Sequence, residues 1–536
     1  MKKEWQIKGI RGIKTIIFGR TLIVAVAFII QFLLLGVTFF WAKEYSGIVY
    51  AGFSVLGLIA LLHIFNSRGN PDFKLVWMLP LLLFPVFGAL FYTYIMIQPG
   101  TKVIYQRLRV LGEKSRVYLK QDEKTFETLK EENPQMGRMA DYLLEHGNCP
   151  VYQNTTIQYF PLGDDQFPEL LKQLKKAEKF IFLEYFILEE GYMWESVLEI
   201  LQEKVKAGVE VRVMYDGMCE LTLLPNFYPK LLKKYGIQCK MFAPIRPVFS
   251  SHYNNRDHRK IVVIDGKVAF TGGTNLADEY INKKERFGHW KDTAVMITGD
   301  AVQKFTCMFL EMWHTTEKQE PDYEAYLTPK SMLKEKDGYV IPYDVMPYGT
   351  ERVGKQIYLD ILNTACQYVH IMTPYLILDY EMISALTYAA KRGVEVSIIM
   401  PHIPDKKYAF ALAKTYYNEL LEAGVKISEY KPGFVHAKIF VSDNKKAVVG
   451  TVNLDYRSFY HHFECGVFFY ENSEVQRIEE DFEETMKKCI HISLADYKKL
   501  KLATRIEGKV LRLIAPLMLN RKDKKQCQLK YKVIYL

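Results

Sequence analysis

At 536 residues the chain is too long for one domain, since about 150 residues is the usual size. Its net charge of +10 sits largely at the two ends; such ends suit nucleic acid or an anionic membrane surface, and the apolar segments beside the basic N-terminus decide for membrane. The eight cysteines are scattered, with no Cys-x-x-Cys pair, so neither a zinc site nor a disulfide framework is suggested and free thiols in a reducing, cytoplasmic setting are expected.

Residues 1–97 read as a membrane region. Thr21 to Trp41 carries no charge, and about 20 such residues cross a bilayer. The length of this run and the lack of a small-residue cleavage site disfavour a signal peptide. Ile48 to Phe65 is shorter and contains His63; a buried core helix is the alternative there. Leu75 to Ile97 is long but carries Pro80 and Pro85. Basic residues lie on both sides of these stretches: Lys2, Lys3, Lys8, Arg11, Lys14 and Arg20 before them, and Lys102, Arg107, Arg109, Lys114, Arg116 and Lys120 after them. The positive-inside rule places both flanks in the cytoplasm and demands an even number of spans, whereas the stretches number three. Either one stretch is re-entrant or interfacial, or the N-terminal tail faces outward. The catalytic region is placed on the cytoplasmic side of a multi-pass cell-membrane protein.

Residues 98–155 are polar and read as a helical connector. A first globular half is expected over 156–335 and a second over 336–495. Lys179 to Phe186 and Gly208 to Gly217 read as strands that each follow an amphipathic helix. Tyr368 to Tyr375 and Gly393 to Pro401 repeat that order. Helix–strand alternation predicts an α/β fold, each half a mixed or largely parallel sheet flanked by helices. Residues 496–536 form a basic amphipathic tail. Ile506 to Leu519 places Val510, Leu511, Leu513, Ile514, Leu517 and Met518 before Arg521, Lys522, Lys524, Lys525, Lys530 and Lys532. Such a segment docks on the core or lies in the membrane interface.

Chemistry concentrates in one repeated pattern. His258-Arg259-Lys260 is followed after four residues by Asp265, and His436-Ala437-Lys438 after four residues by Asp443. Each continues into a small-residue turn ending in Asn, Gly272-Gly273-Thr274-Asn275 and Gly450-Thr451-Val452-Asn453. A single offset of 178 residues relates His258 to His436 and Asn275 to Asn453. The apolar residues after each histidine, bounded by turn residues, predict buried strands. On a strand, residues i and i+2 share a face, so each His projects beside its Lys. A neutral imidazole is a nucleophile or base and an ammonium clamps anions. The Asn amide can donate to an oxyanion, and the glycines let backbone N–H groups approach it. Each copy is half of a phosphate site.

These residues resemble the paired HKD motifs of the phospholipase D superfamily, in which two halves pool their motifs into one active site. The resemblance extends over about residues 45 to 520 and looks closest to bacterial cardiolipin synthases. It rests also on Asn70-Pro71, Pro85-Val86-Phe87-Gly88, Glu184-Tyr185-Phe186-Ile187, Trp290-Lys291-Asp292-Thr293, Thr373-Pro374-Tyr375 and Asn453-Leu454-Asp455-Tyr456-Arg457-Ser458-Phe459. Two spans before the catalytic region are usual in that family, and the stretch at 21–41 departs from the pattern. The resemblance implies transfer of a phosphatidyl group from one phosphatidylglycerol to another, giving cardiolipin and glycerol. One histidine would attack phosphorus and the other would protonate the leaving glycerol, then deprotonate the incoming hydroxyl. Lys260, Lys438, Asn275 and Asn453 would hold the phosphoryl oxygens. By the same resemblance the orienting acids are Glu464, 28 residues after His436, and in the first half Asp292. Asp265 and Asp443 complete the catalytic signature, although their strand-end positions suit fixing the backbone better than chemistry. Glu184 and Tyr185 either line the pocket or are structural. No cofactor and no metal are called for, because the lysines supply positive charge. The implied partners are phosphatidylglycerol in the membrane and an anionic lipid surface, not nucleic acid. A hydrolase of the same fold, another phosphatidyltransferase and a non-enzymatic membrane scaffold are the competing readings.

Overall fold

A computed structural model describes residues 46–67, 69–84, 99–244, 255–328, 337–347, 351–500 and 502–517, with isolated positions at 29, 33, 36, 87, 88, 92 and 349. They fall into two compact units. The smaller contains α1 (Ser46–Asn66) and α2 (Pro71–Leu83). The Asn70 side chain accepts the Asp72 N–H at 2.8 Å and caps α2, and Pro71 fits its first turn. Ile64 and Leu81 are buried together with Tyr92, against Trp77 and Met78. Large apolar residues face outward on both helices, among them Ile48, Val55, Ile59 and Phe65 on α1 and Leu75 and Leu82 on α2.

Among the described residues no helix is long and apolar enough to cross a membrane. Of the expected stretch Leu75 to Ile97, residues 85, 86, 89–91 and 93–97 lie outside the described residues. The 13 residues of α2 cover about 20 Å against a hydrocarbon layer of about 30 Å. It stops at Leu83, where Phe84, the residue before Pro85, leaves the helical region at φ −139° and ψ 76°. The stretch Thr21 to Trp41, the basic N-terminal tail and the basic residues after 517 lie outside the described residues.

The larger unit holds two large sheets and two short two-stranded ones. The first half contributes β1 (Thr155–Phe160), β2 (Phe180–Tyr185), β3 (Glu210–Asp216), β4 (Gln238–Phe242), β5 (Lys260–Ile264), β6 (Val268–Gly272), β7 (His289–Lys291) and β8 (Ala294–Gly299). The second contributes β9 (Tyr339–Val345), β10 (Tyr368–Met372), β11 (Leu376–Ile377), β12 (Glu395–Pro401), β13 (Lys426–Tyr430), β14 (Gly433–Val435), β15 (Ile439–Ser442), β16 (Lys446–Gly450), β17 (Leu454–Asp455), β18 (Glu464–Tyr470) and β19 (Cys489–Ile492). The first large sheet runs β1-β8-β6-β5-β2-β3-β4 and the second β9-β18-β16-β15-β10-β12-β13, with β19 added at the far edge. Strand for strand the order is the same, so the expected duplicated α/β fold is present. The short sheets pair β11 with β17 and β14 with β7.

Each large sheet is mixed. β2, β3 and β4 are parallel neighbours, as are β10, β12 and β13, while β5 and β15 join antiparallel beside β2 and β10. Parallel neighbours need crossovers, and the helices Tyr192–Lys206 and Tyr380–Lys391 provide them. Both large sheets turn one face to a shared core. Ile261 and Val263 of the first, Ile439 and Val449 of the second, and Phe305 and Phe309 of the central helix α3 (Val302–Trp313) belong to it. The polar segment expected as a connector folds into the helices Pro99–Ser115, Glu123–Glu132 and Pro134–Gly147. Leu108 of that segment enters the shared core.

Candidate active site

β5 and β15 lie mid-sheet, and each begins within three residues of its histidine. At the other end the chain turns through left-handed backbone, φ 53° at Asp265 and 54° at Asp443. Asp265 accepts N–H bonds from Glu178, Lys179 and Phe180 at 2.8, 2.7 and 2.9 Å. Asp443 accepts from Cys366, Gln367 and Tyr368 at 2.7, 2.8 and 3.0 Å. These bonds lock the motif strand to the start of its neighbour, β2 or β10. Five residues of extended chain, about 16 Å, separate these carboxylates from Lys260 and Lys438. Asp265 and Asp443, counted in the catalytic set from sequence, are therefore saturated by backbone donors at the wrong end of the strand for chemistry.

The histidines are paired across the halves. His258 Nδ1 lies 2.8 Å from Glu464 Oε2, and His436 Nδ1 lies 2.6 Å from Asp292 Oδ2. Sequence reading had placed one acid in each half; the structure hands each acid to the opposite histidine. The backbone enforces the exchange. His258 N–H donates to Phe463 O at 2.9 Å, immediately before Glu464. His436 N–H donates to Lys291 O at 2.7 Å, immediately before Asp292, and β14 runs parallel to β7. A carboxylate only accepts, so an Nδ1 bonded to one carries the proton and Nε2 keeps its lone pair; at His436 the Lys438 ammonium also lies 2.8 Å from Nδ1.

The site is dry and densely charged. His258, Lys260, Asp292, His436, Lys438 and Glu464 are all buried. Each lysine ammonium donates to the carbonyl of its own motif histidine. Burial pushes Lys260 down to about 8 and Lys438 to about 7, the latter also repelled by Lys260, while Asp292 and Glu464 oppose the shift. Burial also holds His258 well below the ordinary imidazole value, and His436 at about 4. Lys260 adds to the lowering of both rings, so the two motifs share one electrostatic cluster. Burial disfavours ionised Asp292 and Glu464, but their histidine partners outweigh it and both carboxyls titrate below the usual range. The resting site thus holds two neutral imidazoles, two carboxylates and two ammonium groups that ionise near neutrality.

The asparagines differ. Asn275 is committed internally: its Oδ1 accepts Ile187 N–H at 2.9 Å and its Nδ2 donates to Tyr280 Oη at 2.8 Å. These two bonds brace the loop and use one of the two Nδ2–H donors of Asn275. Asn453 Oδ1 is buried with no partner. Glu184 pairs with Arg259 at 2.6 Å and Tyr185 packs in the apolar core of the first half, so neither lines the site.

A metal is disfavoured electrostatically. Ligand atoms of His258, His462 and Glu464 lie within 4.8 Å of one another. Lys260 acts electrostatically on both His258 and Glu464, however, and repels a cation there. The same charges suit an anion held between the halves.

The chain is similar to known proteins. A family model described as cardiolipin synthase, PLD-like domain, matches residues 170–313 and 358–486, and a phospholipase D-nuclease N-terminal model matches residues 55–93. Cardiolipin synthase 2 of Bacillus anthracis is 33% identical over 461 residues, covering 85% of this chain and 88% of the relative. The cardiolipin synthase of Halalkalibacterium halodurans is 33% identical over 498 residues, covering 89% and 95%. The chain belongs to the cardiolipin synthase family of the phospholipase D superfamily. An uncharacterized protein of Streptococcus mutans is 52% identical over 461 residues, covering 86% of this chain and 99% of its own. The crystal structure of phosphatidylserine synthase from Haemophilus influenzae has the same fold: TM-score 0.52 at 14% identity, covering 73% of this chain and 98% of that one.

Within this cardiolipin synthase family member, sequence reasoning missed the ring neighbours. His462 lies tilted beside His258 with centroids 5.4 Å apart, and Trp290 tilted beside His436, also at 5.4 Å. The signal was available. An offset of 172 residues relates Asp292 to Glu464 and likewise Trp290 to His462. Thr451 and Ser458, whose hydroxyls donate to Glu464, were also missed as functional neighbours.

Proposed function

We propose that the chain makes cardiolipin from two phosphatidylglycerol molecules, releasing glycerol through a phosphatidyl-histidine intermediate. The observation that carries this reading is the pair of crossed dyads, His258–Glu464 and His436–Asp292, with Lys260 and Lys438 in the same buried cluster. Nε2 of one neutral imidazole attacks phosphorus, and the P–O bond to glycerol breaks. A glycerol alkoxide leaves poorly, so the opposite imidazolium donates its proton to that oxygen. The bound phosphodiester anion favours the charged form of that ring. The same ring, now neutral, takes the proton from the hydroxyl of a second phosphatidylglycerol. That oxygen then displaces the histidine from phosphorus. Lys260, Lys438 and the carboxamide of Asn453 hold the phosphoryl oxygens as charge redistributes. One phosphodiester replaces another, so the exchange is nearly balanced in free energy.

The outward apolar residues of α1 and α2 support a membrane-associated protein, since soluble surfaces rarely expose such contiguous patches. Basic residues after position 97 and unpaired cysteines support a catalytic region on the cytoplasmic face. Incubating the purified protein with phosphatidylglycerol and resolving the products tests the reaction. Cardiolipin plus glycerol is expected. Phosphatidic acid as the main product would make the chain a hydrolase of the same family.

A further inference from the structure

Helix α4 (Lys407–Glu422) carries on its outside a second helix, α5 (Leu502–Ile514). The inner side of α5 is fitted closely. A Cβ added at Gly508 would meet Ala411 O and Thr415 Cγ2, each at 2.6 Å, so only glycine allows this approach. Arg512 lies 4.4 Å over the Tyr416 ring and 3.8 Å from Glu419. Arg505 lies 5.6 Å over the Tyr497 ring.

The outer side is apolar and open. Leu502, Ile506, Val510 and Leu513 are 69, 54, 59 and 54% exposed. At about 100° per residue these four fall within an arc of roughly 80°, a single stripe along the helix. Lys509 borders the stripe on one edge, with Arg505 and Arg512 beyond it, while Glu507 lies on the opposite edge. The sequence that follows is strongly basic, with Arg521, Lys522, Lys524, Lys525, Lys530 and Lys532 against Asp523. An aliphatic stripe flanked by cations suits the boundary between acyl chains and anionic headgroups. A soluble protein partner would leave the one-sided positive charge without a complement.

We propose that α5 lies in the interface of an anionic lipid leaflet. Its inner face stays fastened to α4, and Leu502, Ile506, Val510 and Leu513 enter the acyl region. This rests on the reading that the substrates are membrane phospholipids, and it assigns a lipid contact to α5 as well as to the outward apolar residues of α1 and α2. The basic flank makes the contact selective for anionic leaflets, the kind of surface a phosphatidylglycerol-consuming enzyme must meet.

The test uses the full chain in vesicles. Val510→Cys and, separately, Glu507→Cys are made with Cys366→Ser and Cys527→Ser and labelled with an environment-sensitive fluorophore. In phosphatidylglycerol vesicles the label at 510 should be quenched several-fold more by brominated acyl chains than the label at 507, and more than in phosphatidylcholine vesicles. Equal quenching at the two positions, or equal quenching in the two lipids, would overturn the proposal. So would a blue-shifted label at 510 that brominated chains do not reach, which would mark a second protein copy. Paired Ile506→Asp and Val510→Asp substitutions should lower turnover several-fold on vesicles and leave it unchanged on detergent-dispersed lipid. The unsubstituted protein is assayed alongside for cardiolipin. Absent cardiolipin with an acyl-quenched 510 label would sink the reaction and leave the docking standing.

Discussion

His258 and His436 stand at equivalent positions, and each borrows its carboxylate from the opposite half, yet their surroundings are unlike. His436 is ringed by Trp290, Tyr280 and Phe434, with centroids at 5.4, 5.5 and 5.9 Å. His258 meets Phe186 at 4.9 Å and a second imidazole, His462, at 5.4 Å. The carboxylates differ as well. Asp292 packs so tightly on Gly273 that a Cβ there would lie 1.9 Å from Oδ1. The matching residue 178 positions later is Thr451, whose hydroxyl donates to Glu464 instead. Ser458 donates to the other oxygen of Glu464 at 2.7 Å, where the first half has Tyr280 reaching Asn275. Duplication kept the scaffold and the reacting groups. Divergence changed the neighbours that set protonation, which is what a reaction needing one nucleophile and one acid requires.

The largest effect should come from removing the rings themselves. His258→Ala and His436→Ala should each lose on the order of 10²–10⁴-fold where acid–base help is lost, and more at the nucleophile. Rapid quenching with labelled phosphatidylglycerol should leave label on one histidine only. Label on both, or near-normal turnover in either variant, would make the halves equivalent and break the comparison.

The crossed acids come next. Glu464→Gln and Asp292→Asn put an amide donor against Nδ1 and favour the tautomer that blocks Nε2, so each should cost roughly 10²–10⁴-fold in kcat. Glu464→Gln should cost more, because Glu464 also accepts from Thr451 and Ser458. Equal losses measured at saturating phosphatidylglycerol would show that the extra hydroxyls contribute nothing.

The pH profile sharpens the same picture. A histidine held below its usual value stays neutral further into acid, so the acid limb of kcat/KM should lie below about 6.5. The lysines work when charged, and burial brings Lys260 to about 8 and Lys438 to about 7, so kcat/KM should fall as pH rises through that range. Lys438→Arg keeps its charge and should move the alkaline limb upward while leaving the acid limb in place. A rate still rising above pH 9 would remove the lysines from anion binding.

Where the halves agree, substitutions should behave alike. Asp265→Asn and Asp443→Asn each disturb three backbone bonds to a buried-strand start. Each should cost about 1–3 kcal/mol of stability, read as a lower urea midpoint, with kcat changed only a few-fold. A large kcat loss without destabilisation would return these residues to the chemistry.

The sequence made the duplication legible because two strands, their turns and their polar residues recur at one offset, which chance rarely produces. Asp265 and Asp443 could be read as scaffold from their place before a turn. The crossing of the acids could not, since it depends on β7 reaching β14 and Asp257 bridging Phe463, contacts between segments well over a hundred residues apart. The internal bonds of Asn275 were hidden for a similar reason: Tyr280 and Ile187 meet its amide only in the fold. The helical ends of the chain were harder still. Apolar length pointed to spans over Ile48 to Phe65 and Leu75 to Ile97; what the fold adds there is that burial of Ile64 and Leu81 packs α1 against α2.

The smallest expected effect is also the most discriminating. His462→Trp places beside His258 the residue that already stands beside His436, making the two ring environments more alike. In the native chain the burial of His258 is the main force keeping it neutral; Lys260 and repulsion from His462 add to it, and Glu464 opposes them. Removing His462 takes away that repulsion, so the value for His258 rises, its neutral form survives over a narrower range, and the acid limb moves to higher pH. Turnover near neutrality should change by less than about tenfold, below the loss expected when an acid or base is deleted. Trp290→His, the reciprocal change, adds that repulsion beside His436 and should move its titration the other way. If neither substitution alters the pH profile, the imidazole beside His258 is packing alone, and the difference between the halves must then arise from Thr451 and Ser458 at Glu464, which Thr451→Gly would expose as a fall in kcat with the pH limbs unmoved.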